Sequence, residues 1–125
     1  MSEIVRDSAS DVLDREQIDL LLSLDEGEGA VLAEVVQEFF STGDELHARV
    51  VSAVGERDLE SARRAAHTLK GASANVGAAR LAAACSVVEA RANETEIEEM
   101  VLSLGPLEDE YTQALVALQG LAPGR

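Results

Sequence analysis

One lysine, one cysteine, two phenylalanines, one tyrosine and no tryptophan are all that this chain of 125 residues carries of those types, and each scarcity excludes something. A lone cysteine, Cys85, cannot form an internal disulfide and suits a reducing compartment. Its neighbours Ala83, Ala84, Val87 and Val88 mark it as a small core side chain. With only Phe39, Phe40 and Tyr111 as aromatics, a chain that is 46% apolar must build its core from Leu, Val, Ile and Ala. Long periodic runs of such residues suit closely packed helices better than stacked strands. No apolar run approaches the ~20 residues that span a bilayer. The N-terminus lacks the basic start and apolar stretch of a signal peptide, so a soluble, cytoplasmic protein is expected. A formal charge of -14 disfavours nucleic acid and anionic membrane surfaces as partners.

The length fits one domain. Residues 1–12 are polar and unpatterned and read as a flexible tail, residues 13–119 as the folded domain, and residues 120–125 as a frayed end. Asp14 and Gln17 have the spacing of a capping box, with Leu13 able to staple against Ile18, so a short helix is predicted there with Ile18, Leu21 and Leu22 inward. The stretch from Asp25 to Gly29 forms a turn. A second helix runs from about Ala30 to Val54 with Leu32, Val35, Phe39, Leu46, Val50 and Val54 in one stripe. Gly43 weakens its middle by about 1 kcal/mol relative to alanine. Gly55 is placed as C-cap and Asp58 as the next N-cap. Leu59, Ala62, Ala66, Leu69, Ser73 and Val76 stripe a third helix, which Gly77 ends. Leu81, Ala84, Cys85 and Val88 stripe a fourth, forming an antiparallel hairpin with the third. A fifth helix, capped by Asn93 or Thr95 and kinked by Pro106 after Gly105, carries Leu107, Tyr111, Leu115 and Leu118. The fold class is all-α: an antiparallel up-and-down four-helix bundle with a short N-terminal helix across one end.

The single lysine, Lys70, stands three residues after one of only two histidines, His67, and just before Gly71. Residues three and four apart share a helix face. An imidazole can accept a phosphoryl group at nitrogen, an ammonium one turn away can neutralise it, and a glycine leaves room for another protein. His67 lies off the buried stripe, with Glu60, Arg63, Arg64, Gly71 and Ala74 on the outward face. The segment from Asp58 to Arg91 is net positive inside an acidic protein, which lowers the cost of placing a dianion there. His47, beside Asp44 and Glu45, lacks such company and reads as structural or solvated. The acidic runs near Asp25 and from Glu94 to Glu99 lack the ligand spacing of a calcium loop.

The stretch Arg64-Ala65-Ala66-His67-Thr68-Leu69-Lys70-Gly71-Ala72-Ser73-Ala74-Asn75-Val76-Gly77 resembles the signature of histidine-containing phosphotransfer (HPt) domains. It has the alanine-histidine pair, the leucine, lysine and glycine that follow, and the second glycine ten residues after the histidine. The resemblance extends from about Leu13 to Leu118. It implies that His67 is phosphorylated at Nε2, that Lys70 contacts the phosphoryl oxygens and that Gly71 admits the partner. It also implies that Glu89, twenty-two residues on, accepts from Nδ1 and orients the ring. Gln37 and Ser41 are placed facing the same site, Arg63, Arg64 and Ala74 around it, and Leu21 and Leu24 in an apolar docking rim.

Such a carrier takes phosphate from the aspartate of one response-regulator receiver domain and gives it to another, in a relay fed by a hybrid sensor histidine kinase. It has no nucleotide site or autokinase activity and no cofactor of its own, since Mg²⁺ belongs to the receiver. A monomer is expected. An adaptor that docks receivers or kinases without being phosphorylated needs the same surface but not the histidine. A four-helix metal oxidase needs paired Glu-x-x-His ligand sets, and Arg64 stands where the glutamate would be.

Overall fold

The computed structural model describes residues 12–25, 28–93 and 97–121. The tail over residues 1–11, the expected cap (Thr95, or the side chain of Asn93) and the end beyond Leu121 lie outside what is described, as does part of each acidic run.

Helix α1 spans Arg15–Ser23, α2 Ala30–Gly55, α3 Leu59–Asn75, α4 Ala79–Asn93 and α5 Ile97–Leu121. The last four close a ring in which α3 packs between α2 and α4, and α5 touches both α4 and α2. Short turns force neighbours to run antiparallel. The expected stripes point inward, with Ala62, Ala66, Leu69, Leu81, Val88, Leu107 and Leu118 fully buried. Each large aliphatic so enclosed contributes roughly 1.5–3 kcal/mol relative to its exposed state. On α2 the deep position is Val36, while Val35 and Leu46 lie at the margin of the core.

Asp14 caps α1 by accepting the Glu16 N–H at 3.0 Å. The capping box does not close. The Gln17 side-chain amide donates instead to the Asn75 carbonyl at 2.9 Å, and the Asp14 N–H donates to the Gly77 carbonyl at 2.6 Å. The end of α3 offers carbonyls with no helical partner, and satisfying them stitches α1 across the α3–α4 turn. Gly77, at φ +78°, makes this approach possible: an added Cβ would sit 3.2 Å from the Asp14 carbonyl oxygen.

Two other expectations are corrected. Gly55 is the last residue of α2 rather than its cap, and Arg57 takes the left-handed conformation at φ 60°. The Glu56, Arg57 and Asp58 N–H groups bond back to the Ser52, Val54 and Ala53 carbonyls, which offsets a strain of roughly 1–2 kcal/mol at the exposed Arg57. At the other end of α2, Asp25 does more than turn the chain. Its carboxylate accepts the N–H groups of Gly29, Ala30 and Val31 at 3.2, 2.6 and 3.0 Å. The Val31 bond chiefly holds its carboxyl below the usual range, with burial opposing.

α5 runs unbroken through Pro106 to Leu121, so residues 120 and 121 belong to the helix and not to a tail. Gly105 and Pro106 are both exposed, so the carbonyl that the proline ring leaves unpaired one turn back faces the wet side of the helix.

Gly43 is buried against Tyr111, whose ring tilts onto Phe39 at 6.2 Å, stacks on His47 at 4.9 Å and whose hydroxyl donates to Asp44. The glycine is a notch for that ring rather than a weak point. In Gly43→Ala the new Cβ would meet the Tyr111 hydroxyl oxygen at 3.0 Å. A helix-propensity gain of about 1 kcal/mol is set against an overpacking cost of about 1–3 kcal/mol. Urea unfolding should show a net loss of about 1 kcal/mol, and an unchanged or raised midpoint would mean that Tyr111 yields freely.

Candidate functional site

Alanine and serine dominate the inward face of α3, so α4 approaches closely and its Glu89 reaches across to α3. Glu89 Oε2 lies 2.8 Å from His67 Nδ1, and Oε1 lies 2.9 Å from Lys70 Nζ. A carboxylate only accepts, so Nδ1 carries the ring proton and donates it to this bond. Nε2 is then the nitrogen with a free lone pair. The His67 side chain is 63% exposed, against 17% for Glu89, so the imidazole meets solvent while the carboxylate that holds it is mostly covered. Lys70 lies between these limits at 34%.

The Lys70 hydrogen bond chiefly holds the Glu89 carboxyl below its ordinary range, with burial opposing and the His67 bond adding. Around this centre, Arg63 forks onto Glu60 at 3.2 and 2.7 Å and also feels the Glu89 charge. Arg64 and Ala74 are exposed on α3, as is Gly71, where an added Cβ would meet nothing within 4 Å. Thr68 turns its hydroxyl back to the Arg64 carbonyl at 3.0 Å and so is spent within its own helix.

His67, Lys70, Gly71 and Glu89 are therefore gathered as expected, with Arg63, Arg64 and Ala74 flanking them. Three positions are not. Leu21 is 5% exposed and belongs to the core, because α1 turns it inward together with Ile18. Gln37 and Ser41 sit on the solvent face of α2. The groove against α3 is lined instead by Val35, Glu38, Phe39 and Thr42. Leu24 is exposed at 61%, and Leu20, which the sequence reading passed over, is exposed at 54% one turn before it. The sequence reading also missed the Lys70–Glu89 pair. Cys85 is buried and its thiol is pushed up to about 12, chiefly by burial, so it packs rather than reacts. Among the described residues, no three His, Cys, Asp or Glu side chains gather into a site for a metal ion, and no helix is long and apolar enough to cross a membrane.

The family model described as Hpt domain matches residues 34–120, a span that contains all four central residues of this site. The chain belongs to the Hpt domain family. Among solved structures it is similar to the histidine-containing phosphotransfer protein ZmHP2 from maize, with 26% identity and a TM-score of 0.79. That match covers 90% of this chain and 84% of the maize chain. It is also similar to the histidine-containing phosphotransfer protein MtHPt2 from Medicago truncatula, at 28% identity and a TM-score of 0.79, over 90% and 78% of the two chains. No curated protein sequence matches. Family and fold together place this HPt domain in histidine phosphotransfer within two-component phosphorelays.

A carboxyl whose folded pKa is lowered stabilises the fold above its unfolded pKa, and that contribution is lost as pH falls through the folded value. Glu89→Gln should therefore be less stable than the parent at neutral pH. The gap should narrow as the pH drops through and below the ordinary carboxylate range. Urea titrations of both proteins at neutral and acid pH measure this, and a gap that stays constant would show that Glu89 carries no stabilising charge.

Proposed function

We propose that His67 is the phosphoacceptor of this HPt domain and carries a phosphoryl group between aspartates of response-regulator receiver domains. The observation that supports it best is the bond between His67 Nδ1 and Glu89, which leaves Nε2 as the outward nucleophile on a side chain 63% exposed. Neutral imidazole attacks phosphorus, the P–O bond to the receiver's aspartate breaks, and the carboxylate departs with the electron pair. The ring keeps its Nδ1 proton and becomes positive, and Glu89 stabilises that charge. Lys70, one turn along, is the cation within reach of the phosphoryl oxygens. The Mg²⁺ that such a transfer requires is the receiver's, held by its own aspartates. The donor upstream is the receiver of a hybrid sensor histidine kinase, and the chain acts in the cytoplasm as a monomeric carrier without autokinase activity.

Charge supports the same docking face. α5 carries Glu98, Glu99, Glu108, Asp109 and Glu110 and no lysine or arginine, whereas α3 carries Arg63, Arg64 and Lys70 against Glu60. An acidic receiver pocket approaching this protein is repelled by the α5 side and drawn to the α3 side. Leu20 and Leu24 add exposed apolar surface on α1.

Incubation with a phosphorylated receiver and Mg²⁺ should place label on the chain that survives alkali, is lost in acid and is absent from His67→Gln. Label on any other residue would overturn the assignment.

Gly71→Ala separates stability from function. Nothing lies within 4 Å of the added Cβ, so the helix should gain about 1 kcal/mol. Transfer from the receiver should nevertheless slow on the order of tenfold or more, because the methyl holds the reacting atoms apart. Stopped-flow transfer at the parent rate would remove Gly71 from the docking face.

A further inference from the structure

We propose that Glu89 holds Lys70 captive in the resting protein and yields it to the phosphoryl group when His67 is loaded, so that one carboxylate positions both the nucleophile and its counter-charge. This rests on the reading of His67 as phosphoacceptor. The geometry that carries it is the division of the Glu89 carboxylate, one oxygen on the imidazole at 2.8 Å and the other on the ammonium at 2.9 Å. At rest the ammonium and the carboxylate beside the imidazole neutralise each other. Arg63 and Arg64, the flanking cations on this face of α3, both pair with Glu60 at rest, at 2.7 and 3.9 Å. Free phosphate anions thus meet a site whose nearest cations are occupied.

Loading changes the balance on both sides of Glu89. When the N–P bond forms at Nε2 and the donor's bond to phosphorus breaks, the ring retains its Nδ1 proton and becomes an imidazolium. Its bond to Oε2, already made to a charged acceptor, gains a charged donor and strengthens. The phosphoryl group places about two negative charges and three acceptor oxygens one helical turn from Lys70. The ammonium now faces a dianion on one side. On the other is a carboxylate already neutralised by the imidazolium. A lysine on a flexible stem, a third exposed, can swing between them. Glu89 cannot follow, because it is less exposed and anchored on α4. The hand-over balances charge at each stage: Lys70 neutralises Glu89 before transfer, and His67 neutralises it afterwards.

Because Lys70 is the only lysine, selective nitrogen-15 labelling of lysine gives a single ammonium signal. In the resting protein its protons should exchange slowly with water, and in Glu89→Gln they should exchange fast and broaden. Phosphoramidate then loads His67: its P–N bond breaks, ammonia leaves, and phosphorus NMR reports the Nε2–P bond. On loading, the Lys70 signal should move in the parent protein. In loaded Glu89→Gln it should narrow and appear near the loaded parent position, since the phosphoryl and not residue 89 now holds it. A Lys70 signal unmoved beside a clear phosphohistidine resonance would overturn the hand-over, as would identical resting signals from parent and variant. Failure of the phosphoacceptor reading looks different: no phosphohistidine resonance forms at position 67, and the hand-over falls with it.

Discussion

The close approach of α3 and α4 is the constraint on which the site depends. Ala62, Ala65, Ala66 and Ser73 line the buried side of α3, and Cys85 lies among the buried residues of α4. Small side chains at a contact let two helices pack closely. Only then can a glutamate on one helix bond an imidazole on the next. The packing has little polar residue to satisfy. Ser73 donates back to the Leu69 carbonyl at 2.7 Å, and Cys85 stays a protonated thiol. The geometry of the His67–Glu89 bond is thus a consequence of core composition, and an exposed histidine is held by forces that originate in the dry interior beside it.

Gly43 and Gly71, each in the middle of a helix, have opposite surroundings. Gly43 is buried, and the space that its missing side chain leaves is filled by Tyr111. Gly71 is exposed, and the space beside it is empty. Both carry the same penalty of about 1 kcal/mol against alanine. At Gly43 the aromatic packing offsets it inside the fold. At Gly71 nothing within the chain fills the space, which leaves room for a partner on the docking face proposed above. Gly105 in α5 is exposed and open in the same way, so what sets Gly71 apart is its place beside His67 and Lys70.

Helix order and the buried stripes were legible because a period of 3.6 survives any change of neighbours, as Ala62, Ala66, Leu69 and Ser73 illustrate. His67, Lys70 and Gly71 were legible for a related reason: three residues on one helical turn keep their mutual placement whatever else packs nearby. Positions that depend on long-range partners were less so. The local spacing of Asp14 and Gln17 pointed to a capping box, yet the free carbonyls at Asn75 and Gly77 won both donors. Leu21 and Leu24 look alike in sequence, and only the docking angle of α1 decides that one is core and the other surface. Gln37 and Ser41 failed for want of a rotation: a shift of one residue around α2 separates the groove from open solvent. The Lys70–Glu89 pair was hidden most deeply. It needs the register of two helices and the reach of a long side chain at once.

Lysine at position 70, in a chain whose other cations are arginines, follows from what this site asks of its cation. An arginine fork matches a carboxylate in two parallel bonds, as Arg63 does with Glu60 at 3.2 and 2.7 Å. Such a fork beside Glu89 would compete with His67 for the second carboxylate oxygen and tie the cation down in a geometry that is hard to leave. An ammonium needs only one oxygen. It leaves Oε2 to the imidazole, keeps the ring in the tautomer with Nε2 outward, and can reorient about a flexible stem. Under the proposed roles, the rare residue and the shared carboxylate solve one problem together: a counter-charge is present at rest without blocking the nucleophile, and is movable when the phosphoryl group arrives.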